Sequence, residues 1–178
     1  MATTYEAIAT VTVGSGGAST IEFTSIPNTF TDLVVLTSAR NNDNQAGVPF
    51  GGIYMQFNGS TTGYSSRILV GYGSGVVSIA PTGGNSLSSY VTSTNGTANT
   101  FSNNTFYIPN YAGSNNKSVS IDGVNENNAT DGRQSIVAGL WSNSAAITSI
   151  TLKTEDNNGN AKSFVQYSTA TLYGIKNS

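Results

Sequence analysis

Few residues in this chain could carry chemistry. The 178 residues include nine acidic and seven basic side chains, and neither histidine nor cysteine. Without histidine, no Ser–His or Cys–His nucleophile pair can be built, and the commonest general base and metal ligand is gone. Without cysteine there is no disulfide and no thiolate metal site. Carboxylates, lysines and hydroxyls remain. The densest acidic stretch, Glu155-Asp156-Asn157-Asn158-Gly159-Asn160, has the composition of a calcium loop. It lacks the alternating acidic positions and the distal glutamate that such a loop needs, so it reads as a solvated hairpin turn. Asn41-Asn42-Asp43-Asn44 reads the same way. Glycosidic hydrolysis would need two carboxylates facing each other across a cleft. Glu6, Glu22, Asp32 and Asp122 instead fall in or beside strands, at positions expected to be exposed. A Ser–Lys pair could draw on Lys117, Lys153, Lys162 or Lys176, but no spacing singles one out. The expectation is a binding or assembling protein and not an enzyme, with no catalytic residue, no cofactor and no metal.

The glycine-rich stretches Gly14-Ser15-Gly16-Gly17 and Gly71-Tyr72-Gly73-Ser74-Gly75 lie between strand patterns. A phosphate cradle must feed a helix N-terminus, so these are turns. Tyrosines recur at strand and loop ends, where they suit a rim, a sugar-stacking face or a protein interface. Val48-Pro49-Phe50 is the clearest apolar stretch in a loop region, and exposed apolar patches mark association. Val48, Pro49, Phe50, Tyr72 and Tyr111 are therefore the candidate contact residues. Charged residues make up 9% of the chain, against about 25% in an average soluble domain. A net charge of −2, with few and scattered basic residues, gives no phosphate-tracking patch, so nucleic acid is not an expected partner. No apolar run reaches the length of a membrane helix. The opening Met1-Ala2-Thr3-Thr4-Tyr5-Glu6 carries no secretory pattern, so neither a membrane nor a secretory route is expected.

These residues must be positioned by strands. Apolar residues alternate with polar ones over Tyr5–Val13, Ile53–Phe57, Tyr64–Val70, Thr105–Pro109, Lys117–Val124, Ser135–Trp141, Ala146–Thr154 and Ser163–Ile175. Ile21–Phe23 and Val76–Ala80 add short strands. Leu33-Val34-Val35-Leu36, within Asp32–Arg40, is a continuous apolar run that predicts burial on both faces. Asn58-Gly59 is a strong hairpin signal. Pro81 and Gly83-Gly84 stop a strand, and residues 82–104 are the least regular stretch, with Leu87, Tyr90 and Val91 as packed residues. No helix is expected. About ten strands with frequent turns predict an all-β, antiparallel sandwich or barrel, as one domain over residues 1–178, and a β-sandwich of the jelly-roll kind is the leading expectation.

Several segments together carry a resemblance. They are Phe23-Thr24-Ser25-Ile26-Pro27 with Thr31-Asp32-Leu33-Val34-Val35, Gln56-Phe57-Asn58-Gly59-Ser60 with Tyr64-Ser65-Ser66-Arg67, and Phe106-Tyr107-Ile108-Pro109-Asn110-Tyr111-Ala112-Gly113. Ala138-Gly139-Leu140-Trp141-Ser142-Asn143, Ala146–Ile150, Phe164–Ser168 and Leu172–Ile175 complete the set. The chain resembles small β-rich virion structural proteins of tailed bacteriophages, particularly phages of marine bacteria and cyanobacteria. That resemblance implies a jelly-roll-like virion component on the capsid or the tail. A capsid decoration protein that contacts the major capsid protein or other virion proteins is the leading expectation. A homo-oligomer is expected with it, a trimer being favoured because decoration proteins commonly sit as trimers. The alternative is a tail-associated receptor-binding module that recognises host glycans.

Overall fold

The computed structural model describes residues 4–81, 84–126, 128 and 131–176. Met1–Thr3 of the chain start and Gly83 of the turn after Pro81 lie outside them. Thirteen strands form: β1 (Tyr5–Thr12), β2 (Thr20–Phe23), β3 (Asp32–Ala39), β4 (Phe50–Phe57), β5 (Tyr64–Tyr72), β6 (Gly75–Ile79), β7 (Leu87–Thr92), β8 (Ser102–Ile108), β9 (Lys117–Asn125), β10 (Arg133–Trp141), β11 (Ile150–Glu155), β12 (Ala161–Lys162) and β13 (Thr169–Ile175). Among the described residues there is no helix. One sheet runs β1-β13-β3-β8-β9-β10-β5-β6, and the other runs β12-β11-β4-β7, with β2 also on β11. All the ladders between strands are antiparallel.

Eight of these strands wind as a jelly roll. Taking β1, β2, β3, β4, β7, β8, β11 and β13 in chain order as positions one to eight, one sheet holds one-eight-three-six and the other two-seven-four-five. That order is the double Greek key of a jelly roll. Two hairpins are inserted into it. β9 with β10, and β5 with β6, pair in register and widen the first sheet to eight strands. The widened sheet carries much of the molecule's outer surface.

Period-two burial is clear along the inserted strands. β5 alternates buried and exposed from Tyr64 to Val70, and β10 does so from Ser135 to Trp141. The core between the sheets is graded from end to end. At one end Trp141, Phe57, Tyr64 and Tyr111 pack as buried aromatics, with Ile147 beside them in the same cluster. Lys117, fully buried, directs its ammonium to the carbonyls of Gly113 and Asn115, and burial lowers its pKa. At the other end the interior is polar. Ser89 and Ser135 share a hydrogen bond of 3.0 Å, Thr92 donates to Asn125 at 2.9 Å, and the Asn104 amide donates to the Tyr90 carbonyl at 3.2 Å. Gly123 sits in their midst. A Cβ there would lie 2.2 Å from the Ser89 hydroxyl and 2.5 Å from Asn104 Oδ1, so the polar layer closes only around a glycine.

This grading explains where the strands depart from the pattern. β7 lies inside the stretch expected to be irregular. Its inward residues are Leu87, Ser89 and Val91, and Ser89 breaks the apolar alternation because its partner across the core is another serine. Leu36 is exposed, which corrects the expected burial of Leu33–Leu36 on both faces: only Leu33 and Val35 face the core. Val34, on the outer face, is buried between its register neighbours Tyr107 and Tyr173. Asp32 is buried and not exposed, because it accepts hydrogen bonds from the Tyr107 hydroxyl and the Asn110 amide, both at 2.9 Å.

Candidate functional site

The outer face of the eight-stranded sheet is the first candidate surface. One row crosses six strands in register: Leu36, Thr105, Asp122, Ile136, Leu69 and Ser78. Ile136 and Leu69 are directly opposed, 56% and 49% exposed. Tyr107 and Leu140 lie in neighbouring rows, with Val76 and Tyr5 toward the two sheet edges. Among the described residues, seven of the ten exposed large apolar side chains thus share one face of one sheet. A lone exposed leucine is ordinary, but the opposed Ile136–Leu69 pair with Leu140 and Val76 nearby gathers exposed apolar surface of the kind that marks association, while Thr105 and Asp122 separate it from Leu36. Charge is sparse there: Asp122 lies beside Ile136 in its row, and Arg67 lies two residues before Leu69 on the same face.

The second surface is a cleft of about 380 Å³ beside the edge strand β7. β4 supplies Phe50 and Tyr54, β7 supplies Ser88 and Tyr90, and the far wall is Ser66, Ile68 and Ile79 of β5 and β6. Tyr54 leans back along its own strand over Gly52, where a Cβ would lie 2.4 Å from the ring. The lean places its phenol beside Glu155. Burial, then the Glu155 charge, pushes the Tyr54 pKa up to about 12. Burial also raises the Glu155 carboxyl above its ordinary value. Among the described residues no lysine or arginine lines the cleft.

Asp156 lies on the cleft's rim but is occupied. It accepts from the Asn158 and Asn160 amides at 2.8 and 2.9 Å and from the Asn160 side chain at 2.8 Å, and Lys162 is 3.3 Å away. These bonds, the Asn160 side chain first, hold its pKa down to about 2. Lys162 also reaches the buried Asp43 at 3.6 Å, so the two Asn/Asp-rich loops share one cation. A carboxyl with a depressed folded pKa stabilises fully above its unfolded pKa and loses that contribution as pH falls through the folded value. Asp156→Asn is therefore expected to be less stable than the parent at neutral pH. The gap should close between the ordinary carboxylate range and about pH 2, as read from urea midpoints across that window.

No family model, curated protein or solved structure matches this chain.

The five candidate contact residues fall in three places. Val48 is half-buried, and its carbonyl accepts the Ser93 hydroxyl at 2.8 Å. Pro49 and Phe50 are buried, which corrects their reading as an exposed apolar loop. Phe50 starts β4, and the Arg133 guanidinium lies 3.5 Å over its ring. Tyr72 is exposed at the end of β5, opposite Arg133 in register and 5.3 Å from its guanidinium, and Tyr90 is 5.1 Å from the same group. Phe50 and Tyr72 therefore meet around one cation that links the two sheets. Tyr111 is fully buried at the opposite, aromatic end, where its hydroxyl donates to the Pro27 carbonyl and its carbonyl accepts from Ile147 at 3.0 Å. It is a strut between loops and not a contact residue. Sequence reasoning passes over Arg133, Ile136 and Leu69, and takes Glu155 only as part of a solvated hairpin turn. The exposed positions of β5 and β10 were within reach of period-two reading, because Leu69 and Ile136 occupy the outward phase of strongly alternating strands.

Proposed function

We propose that this chain is a structural protein of a tailed-phage virion, a capsid decoration protein that docks through the outer face of its eight-stranded sheet. The exposed cluster around the opposed pair Ile136 and Leu69 on that face is the observation that carries the reading. Such a face loses little by desolvation and gains about 25 cal/mol for each Å² of apolar surface it buries. The segments that resemble phage virion proteins supply the class of partner. Of the two carboxylates that line the cleft among the described residues, Asp156 is taken up by its own loop, and Glu155 alone suits binding better than the acid–base pairs of hydrolysis. The edge strand β6 carries neither a charge nor a proline, so neighbouring copies can cover it, in keeping with a homo-oligomer on the particle.

The test is binding of the purified chain to capsids stripped of their surface proteins. Leu69→Glu with Ile136→Lys puts charges on two exposed positions and leaves the core untouched. The pair is expected to keep the parent's melting temperature within a few degrees and to weaken capsid binding by about 100-fold or more. Equal binding by parent and variant, or no binding by the parent, would overturn the proposal.

A further inference from the structure

The cleft between β7 and the β5–β6 hairpin is separate from the docking face, and its chemistry selects a different kind of ligand. Its volume of about 380 Å³ falls in the range of small-molecule sites. Tyr54 and Tyr90 provide ring surface and hydroxyls. Ser66, Ser88 and Asn85 provide short donors and acceptors, and Glu155 provides a half-buried carboxylate. Ile68 and Ile79 supply an apolar patch on the facing wall. A ligand that fits must be amphipathic, with an apolar face to lie on rings and hydroxyls directed to both sides.

Other ligand classes fit less well. Phosphate and other anions are repelled by the carboxylates, and the basic groups at the margin are committed, Arg133 to the Phe50 and Tyr90 rings and Lys162 to Asp156 and Asp43. An extended peptide adding to β7 would need that strand's free carbonyls. Those of Tyr90 and Val91 already accept from Asn104 and Asn125, and that of Thr92 accepts from Asn41. The C-terminal half of that strand thus already has its carbonyls engaged.

We propose that this cleft is a saccharide site that takes a neutral hexose unit, the hydroxyls bound by Glu155, Ser88 and Asn85 and a ring face laid on Tyr54 or Tyr90. The site goes beyond the docking reading and does not depend on it. A virion protein anchored through the eight-stranded sheet would leave this cleft open to a glycan from outside.

The experiment uses the full chain in solution. Amide chemical shifts are followed while glucose, galactose, mannose and N-acetylglucosamine are added separately, with inorganic phosphate and a peptide copy of Gly75–Ile79 as comparators. At least one sugar is expected to give saturable shifts confined to Tyr54, Ser88, Tyr90 and Glu155, in the millimolar range typical of a single small unit. Glu155→Gln keeps the shape of the side chain and removes its charge. It is expected to weaken that sugar about tenfold or more while the rest of the spectrum stays in place, which also shows the variant is folded. The Leu69→Glu, Ile136→Lys pair should bind the sugar like the parent, so failure of the docking reading and failure of this one can be told apart. Saturable shifts absent for every sugar, shifts at the cleft produced by the peptide or phosphate instead, or unchanged sugar affinity in Glu155→Gln would each overturn the proposal.

Discussion

Arg40→Ala is expected to cost about 3–5 kcal/mol, one of the largest losses available to a single substitution in this fold. Arg40 is 7% exposed just beyond the end of β3. Its guanidinium donates to the carbonyls of Thr97, Thr100 and Gly96 at 2.7, 2.9 and 3.0 Å. Its backbone is held as well, since its amide donates to the Ser168 hydroxyl at 3.1 Å and that hydroxyl donates back to its carbonyl. One side chain therefore closes the 93–101 loop over the polar end of the core. Alanine would take the guanidinium from three carbonyls, leaving Thr97 only its bonds from Thr100, and would leave a void among them, so the loop would open before the sandwich does. Lysine restores the charge but not the planar fork, so Arg40→Lys is expected to recover less than half of the loss. Urea unfolding followed by the fluorescence of the single tryptophan measures both, and limited proteolysis should locate the first cut within 93–101. Unfolding of Arg40→Ala within about 1 kcal/mol of the parent would mean that the loop is held by something else.

Trp141→Ala tests the opposite end and is expected to cost about 3–5 kcal/mol. Trp141 is 1% exposed. It stacks on Tyr64 at 6.1 Å with 17° between the planes, and it meets Phe57 at 5.5 Å. The Phe57 amide donates to the Tyr64 hydroxyl at 2.7 Å, so loss of the indole also loosens a bond that ties β4 to β5. Trp141→Phe keeps a ring and should recover most of the loss. Because the fluorophore is gone, circular dichroism is the measure here. Arg40 and Trp141 share no partner and lie at opposite ends of the core, so their losses should add to within about 0.5 kcal/mol. Their sum would exceed the whole stability of many domains, and the double variant is expected to be unfolded at room temperature.

Both residues mark where sequence reading stopped. Strands whose inward positions are apolar were legible from alternation alone, as in β5 with Tyr64, Ile68 and Val70. Many such strands and frequent turns point to a sandwich or barrel; the jelly-roll winding itself is carried by the pairing order between distant strands. β7 was not legible, because period-two reading takes apolar residues as the inward ones and Ser89 is inward for a hydrogen bond to Ser135. Arg40 was read as the last residue of a strand, and nothing local announces that its partners are 56 to 60 residues away. The same holds for Phe50 and Tyr72. Each was flagged for its type, but the Arg133 that gathers them comes from a hairpin inserted late in the chain. Tyr111 was flagged as a contact and is instead buried, because the carbonyl that satisfies its hydroxyl belongs to a loop 84 residues earlier. Local pattern reveals which way a side chain faces; it does not reveal which distant group meets it.

The central claim, that the outer face of the eight-stranded sheet is the contact surface in an assembled particle, has a direct measurement. The chain contains no cysteine, so one introduced thiol is unique. Ser120→Cys places it on the outer face between the registers of Tyr107 and Ala138, and Glu22→Cys places it on the outer face of the five-stranded sheet. Maleimide labelling rates are compared for the free chain and for the chain bound to capsids. Position 120 is expected to react freely in solution and to be protected at least tenfold on the particle, while position 22 reacts alike in both. Equal reactivity of position 120 in the two states, or protection of position 22 alone, would contradict the claim.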